Sequence, residues 1–212
     1  MTDKKKSSEK RYSVIVFDLG NTLIRFDHNI AARKIVNLFR LDTKKIYDLF
    51  FDSQITRDFE KGLMSPKEFH CKVQQLLGIH LPYNDFVSIW NDIFWEDKAC
   101  CELARRLKRS SYKLFLISNV NRLHFEYIRK KFDVFDMFDE LILSFMVGSM
   151  KPDKHIFDDL IRRAGGDKAK LLYIDDRDDL VREARILGIE SIKYEGADKL
   201  EKEMKHKGVT IE

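Results

Sequence analysis

No stretch of the 212 residues approaches 18 consecutive apolar side chains, so no segment is long enough to cross a membrane as a helix. The opening MTDKKKSSEKR lacks the apolar centre that a secretory signal needs. Cysteine is scarce: Cys71, Cys100 and Cys101 are odd in number and do not have metal-ligand spacing. Buried free thiols are therefore expected, in keeping with a reducing cytoplasm. No basic patch interleaved with aromatics marks a nucleic-acid surface. Net charge is +4, but the opening segment supplies much of it, with four Lys and one Arg against two acids. Residues 1–11 read as a solvated, disordered basic tail, and the remainder is close to neutral. Beyond that tail there is no low-complexity segment, and there is no internal repeat.

What remains is a chain of ordinary globular balance, 44% hydrophobic and 35% charged, enough for one core or a core with an inserted subdomain. Val14, Ile15, Val16 and Phe17 form an unbroken apolar run that stops at Asp18, with Gly20 and Asn21 breaking the chain just beyond. Such a run fits a strand buried on both faces of a parallel sheet. The next eighty residues read as helices. Ala32, Ile35, Val36 and Phe39 recur at helical spacing, as do Ile46, Leu49 and Phe50 behind a cap at Asp42 or Thr43. Ser65, Pro66 and Glu68 make a capping box, with Phe69, Val73, Leu76 and Leu77 as the apolar face and Gly78 as the stop. A further helix opens at Asn84 and carries Phe86, Trp90, Ile93 and Phe94. No strand is expected in this block.

From Lys98 onward short apolar strands alternate with helices. Leu114–Ile117 ends at Ser118-Asn119, Leu141–Leu143 precedes Gly148-Ser149-Met150-Lys151-Pro152, and Leu171–Ile174 ends at Asp175-Asp176. Alternation of this kind builds a parallel sheet with right-handed crossovers. The expected fold is α/β: a Rossmann-like parallel sheet core, residues 12–26 and 98–212, with an inserted all-helical cap, residues 27–97.

Strand ends at one sheet edge then gather Asp18, Ser118 and Asp175-Asp176, with Lys151 within reach, where open parallel sheets bind ligands. Carboxylates crowded together repel, and a hard cation such as Mg²⁺ relieves the repulsion while keeping positions for phosphate oxygens. A lysine and a hydroxyl complete a cradle for a tetrahedral anion. One carboxylate is left to attack phosphorus, forming an aspartyl-phosphate that water hydrolyses.

FDLGNTL, ISN, GSMKP and YIDD, in that order, resemble the four motifs of the haloacid dehalogenase-like hydrolases. SNVNRLH and the cap run FEKGLMSPKEF are similar to the bacterial α-D-glucose-1-phosphate phosphatase subgroup, related to the phosphatase domain of soluble epoxide hydrolases. The resemblance implies an Mg²⁺-dependent phosphatase of a small phosphorylated metabolite, a sugar phosphate such as a sugar 1-phosphate among them. It implies Asp18 as nucleophile and metal ligand, the Gly20 carbonyl as a further ligand, and Asp176 with Asp175 completing the metal shell. Ser118, Asn119, Gly20 and Asn21 would surround the phosphate, and Lys151 would neutralise charge between it and Asp18.

Two positions depart from the family pattern. Most related phosphatases carry a second Asp where this chain has Gly20, a general acid worth about 10²- to 10⁴-fold. A leaving group that needs little protonation, or His124, are two ways to meet that loss. Leu180 stands where related sequences often have Asn or Asp, and Asp179 reads as a partner of the metal pair or a helix cap. Glu60, Lys61 and Gly62 lie in a turn that could face the site, and Asp27 and His28 at the hinge; a solvated loop is the favoured reading for all five. Two rival readings are a catalytically weak homologue acting as a binding module and a 2-haloacid dehalogenase. Monomer and homodimer both remain open.

Overall fold

The computed structural model describes residues 10–41, 44, 46 and 53–212. Most of the expected tail lies outside these residues, as does the helix expected around Leu49 and Phe50. The first strand, β1 (Val14–Phe17), is buried along its whole length. Its chain then turns into a short strand, β2 (Ile24–Phe26), and among the described residues the helices α1 (His28–Phe39), α2 (Gln54–Glu60), α3 (Pro66–Leu77) and α4 (Tyr83–Asn91) follow. The chain returns by β3 (Phe94–Glu96), which pairs antiparallel with β2 so that Phe26 lies opposite Phe94. After that come α5 (Lys98–Arg109), β4 (Lys113–Ser118), α6 (Arg122–Lys131), β5 (Glu140–Leu143), the single turn α7 (Ser144–Val147) and α8 (Lys154–Arg163). The last elements are β6 (Leu171–Asp175), α9 (Asp178–Ile186), β7 (Glu190–Lys193) and α10 (Ala197–His206).

Five strands form one parallel sheet in the order β5-β4-β1-β6-β7. The central strand is the first in sequence, and the chain builds outward from it on both sides. This is the topology in which a crevice opens at the carboxyl ends of the middle strands. Both faces are covered, as a continuous apolar strand requires. Val14 and Val16 pack with Phe115, Phe157, Leu160 and Tyr173 on one face. Ile15 and Phe17 face the other, in a core that continues without a break through Leu23, Ala31, Phe59, Phe69 and Trp90 of the inserted segment.

The inserted segment departs from the all-helical expectation. Phe94 belongs to a strand and not to the preceding helix, because α4 ends at Asn91 and the chain turns through Asp92 and Ile93. The capping box is as the residues dictate: Ser65 Oγ accepts from the Glu68 N–H at 3.3 Å and Glu68 returns the bond to Ser65 N–H at 2.7 Å. Gly78 ends α3 in the left-handed region at φ 66°. Leu76, however, is exposed, as is Cys71, against the expectation of a buried thiol; Cys100 and Cys101 are buried. Among the described residues no helix is long and apolar enough to cross a membrane.

Candidate active site

The carboxyl ends of β1, β4 and β6 deliver Asp18, Ser118 and Asp175 to one place because the three strands pair in register. Lys151 reaches the same point from the loop after α7. Its ammonium is buried and donates to Asp18 Oδ1 and to Asp175 Oδ2, each at 2.6 Å. It also donates to the Tyr173 hydroxyl at 3.1 Å, and that hydroxyl donates to Asp175 Oδ2. The other oxygen of Asp175 accepts from the Arg177 N–H at 2.9 Å. Every polar atom of Asp175 is therefore engaged in orienting its neighbours.

The side chain of Asn119 acts on Lys151 and not directly on an anion. Its Nδ2 donates to the Lys151 carbonyl at 2.8 Å, and its Oδ1 accepts from the Lys151 N–H at 2.7 Å. Ser118 is buried at the end of β4, and Asn21 turns the chain beyond β1 in the left-handed region, φ 52°, that asparagine tolerates. Asp18, Gly20, Asn21, Asn119, Lys151, Asp175 and Asp176 line one cavity of about 210 Å³, and Ser118 lines the cavity beside it.

Three carboxylates meet one cation here. Burial pushes the Asp18 carboxyl up to about 7, with Asp175 and Asp176 adding to the shift and Lys151 opposing it. Burial also raises Asp176, helped by Asp175. For Lys151 burial works downward, but Asp175 and Asp18 outweigh it and hold the ammonium protonated. Ligand oxygens of Asp18, Asp175 and Asp176 lie within 4.8 Å of one another, a set of hard donors with surplus negative charge. That chemistry fits a divalent cation with oxygen ligands.

His124 does not take the acid role open to it in the sequence. Asn121 Oδ1 accepts from the His124 N–H at 3.0 Å, which turns the amide Nδ2 toward His124 Nδ1, also at 3.0 Å. Nδ1 is thus the acceptor, and Nε2–H donates to the Trp90 carbonyl at 3.2 Å. Both ring nitrogens of a neutral imidazole are engaged, and burial pushes its pKa down to about 3. Asp179 is exposed and accepts two hydrogen bonds from Arg177, at 3.1 and 2.6 Å. Asp27 is no solvated loop residue either; it caps α1 by accepting from Asn29 N–H at 2.8 Å.

Phe26 is a site residue that sequence reasoning missed, and Glu60 faces the site instead of taking the favoured place in a solvated loop. Glu60 ends α2, half-buried, and lines both the cavity over Asp18 and the one next to it. Its carbonyl accepts from Ser144 Oγ at 2.7 Å; the same hydroxyl lies 3.1 Å from the Val120 carbonyl and accepts from Val120 N–H at 2.9 Å. Lys61 pairs with Asp153 at 3.4 Å, and a Cβ on Gly62 would lie 2.2 Å from the Phe145 carbonyl oxygen. Phe26 closes over Gly20, where a Cβ would come within 2.9 Å of its ring.

A family model of haloacid dehalogenase-like hydrolases matches residues 12–188. The chain belongs to this family. Among curated relatives it is 28% identical over 192 residues to a D-ribitol-5-phosphate phosphatase of Bacteroides thetaiotaomicron, covering 87% of this chain and 93% of that one. It is 22% identical to a sesquiterpene phosphatase of Aspergillus oryzae, covering 84% and 87%. Among solved structures, a family enzyme from Bacteroides thetaiotaomicron in complex with magnesium and inorganic phosphate superposes with a TM-score of 0.76 at 26% identity, covering 86% and 93%. The L-2-haloacid dehalogenase of Xanthobacter autotrophicus shares the fold at 15% identity and a TM-score of 0.61. This member of the hydrolases thus has carboxylates at its strand ends, a lysine reaching them from a loop, and Gly20 under a phenylalanine ring.

Proposed function

We propose that this hydrolase is a magnesium-dependent phosphatase of a small phosphorylated metabolite, with sugar and sugar-alcohol phosphates, sugar 1-phosphates included, as its substrate class. The observation that carries the reading is the buried Asp18 carboxylate, 2.6 Å from an ammonium that also binds Asp175. The phosphatase relative named above and the neighbour that holds magnesium and phosphate support it.

In this reading an oxygen of Asp18 attacks phosphorus in line as the bond to the departing alcohol oxygen breaks, and the alkoxide takes a proton from solvent water, since Gly20 has none to give. Water then attacks the aspartyl-phosphate, releasing inorganic phosphate and restoring the carboxylate. Lys151 balances charge between phosphate and nucleophile, Ser118 contacts the phosphate, and Asn119 fixes the Lys151 backbone. Asp18, Asp176 and the Gly20 carbonyl would hold Mg²⁺, with Asp175 supporting it. When bound, the ion offsets the charge that builds on the phosphate oxygens and lets the carboxylates lie close together.

Asp18→Asn is expected to lower turnover of any phosphate monoester at least about 10³-fold, because the amide is a poor nucleophile. Removal of divalent cations with EDTA is expected to do the same reversibly, with activity returning on addition of Mg²⁺. Steady-state release of inorganic phosphate measures both. Turnover of Asp18→Asn near wild type would defeat the reading. Release of chloride from a 2-haloacid without metal would favour a dehalogenase instead.

A further inference from the structure

The cavity over Asp18 has a smaller neighbour of about 50 Å³, and the two share Gly20, Phe26, Glu60 and Asn119 in their linings. We infer that Glu60 is the proton donor that Gly20 is not. It protonates the departing alkoxide through a water held in the smaller cavity, and it takes a proton back when water attacks the aspartyl-phosphate. The inference rests on the phosphatase reading and deepens it by giving the proton a source in the inserted segment.

The first ground is elimination. Lys151 keeps its proton, because its ammonium lies 2.6 Å from each of two carboxylates. Arg177 is a guanidinium, which stays protonated, and is paired with Asp179 through two hydrogen bonds. The Nε2–H of His124 goes to the Trp90 carbonyl. Burial lowers His28 to about 4, so it carries no spare proton near pH 7. Asp18 is the proposed nucleophile, and Asp175 and Asp176 belong to the proposed metal shell. Among the described titratable side chains lining the two cavities, Glu60 remains.

The second ground is its protonation. Burial pushes the Glu60 carboxyl up to about 7, and Arg177 opposes the shift. A general acid is most useful with its pKa near the working pH. Asp18, Lys151 and Asp176 face Glu60 across the larger cavity, and the neutral His28 and His124 across the smaller. The helices α3 and α7, which pack against α2, bring no charge that moves it.

The third ground is room for a relay. A buried water needs about 10–15 Å³ and two to four polar partners. The smaller cavity has space for roughly two or three waters, and Glu60, Ser118 and Asn119 line it with polar groups. Glu60 is also held in place. Its carbonyl is tied to Ser144, the next residue pairs with Asp153, and Gly62 lies against the Phe145 carbonyl. In the first half-reaction the alkoxide takes a proton from the water, which takes the carboxyl proton of Glu60. In the second, the attacking water passes a proton back to the Glu60 carboxylate as the bond between phosphorus and the Asp18 oxygen breaks. Ester and water have then become alcohol and phosphate, with Glu60 as it began.

Two esters test this: glucitol phosphate, whose alkoxide must be protonated, and para-nitrophenyl phosphate, whose phenolate leaves without a proton. Steps after departure of the alcohol do not enter kcat/KM, so it isolates the first transfer. Glu60→Gln is expected to lower kcat/KM for glucitol phosphate about 100-fold and for para-nitrophenyl phosphate less than about threefold. In wild type, kcat/KM for glucitol phosphate is expected to fall above pH 7, as Glu60 loses its proton, toward about tenfold per pH unit. That limb should vanish in Glu60→Gln and be missing with para-nitrophenyl phosphate. A limb that survives in Glu60→Gln, a loss spread evenly over both esters, or wild-type turnover confined to para-nitrophenyl phosphate overturns the inference and leaves the phosphatase reading standing. Wild-type inactivity toward both esters with magnesium present overturns both.

Discussion

An ammonium 2.6 Å from each of two carboxylates in a buried site is stable only as a set. Lys151→Met leaves Asp18 and Asp175 buried with no cation between them. Removing one partner of such a group costs about 3–5 kcal/mol, so urea unfolding is expected to show a loss of that order, with turnover down about 10³-fold. Added magnesium should return part of the stability and little of the turnover, because the metal offsets charge but does not restore the contact between lysine and phosphate. Of these residues, Asp18, Ser118 and Asp175 were legible in the sequence, since each ends an apolar run and a strand period leaves no ambiguity about which end is polar. Tyr173 was not. It sits inside the run Leu171–Ile174 and reads as core, which its ring is; that its hydroxyl joins Lys151 and Asp175 depends on a loop more than twenty residues away in sequence. The Asn119 side chain is similar: the family resemblance implied phosphate, and its partner is the backbone of Lys151.

Among the elements, the β2 and β3 ribbon shows where pattern reading fails. Each strand has three residues, too few to display a period of two. Phe94 also lies four residues after Trp90, which continues the helical spacing that α4 obeys up to Asn91. By contrast α3 was readable from Ser65 to Gly78 because its capping signals are local. The turn after α2 makes a prediction at this scale. Gly62 has φ 71° and a Cβ would lie 2.2 Å from the Phe145 carbonyl oxygen, whereas Gly166, at φ 88°, has open space around it. Gly166→Ala is expected to destabilise by about 1 kcal/mol from backbone strain alone, and Gly62→Ala by roughly 3 kcal/mol or more as the turn is pushed from the core. Denaturant midpoints of the two variants separate the terms. Gly62→Ala should also lower kcat/KM, since the displaced turn carries Glu60.

For the whole molecule, the alternation of strand and helix after Lys98 was enough to specify a parallel sheet, and the position of the inserted segment followed from the motif order. How that segment docks was not legible, because docking depends on rings drawn from distant stretches. Phe59 stacks on Phe69 at 4.2 Å, Phe69 meets Trp90 at 4.9 Å, and Trp90 stacks on His124 at 5.3 Å. This run of rings passes through a histidine that must stay neutral. Its folded pKa, about 3, lies below the value near 6.5 of an unfolded chain, so between those values only the unfolded state takes the proton. The stability that His124 contributes is complete above pH 6.5 and is lost as pH falls toward 3. His124→Phe is therefore expected to gain stability relative to wild type by up to about 1.4 kcal/mol per pH unit from pH 6 to 4, in paired unfolding curves. Ser144 gives the same docking a different character. Its hydroxyl has one proton and two carbonyls in range, Glu60 at 2.7 Å and Val120 at 3.1 Å. If the inserted segment lifts away, the proton can turn to Val120, leaving no buried donor stranded. The latch is in effect a two-position toggle, and its release breaks one hydrogen bond worth about 1 kcal/mol.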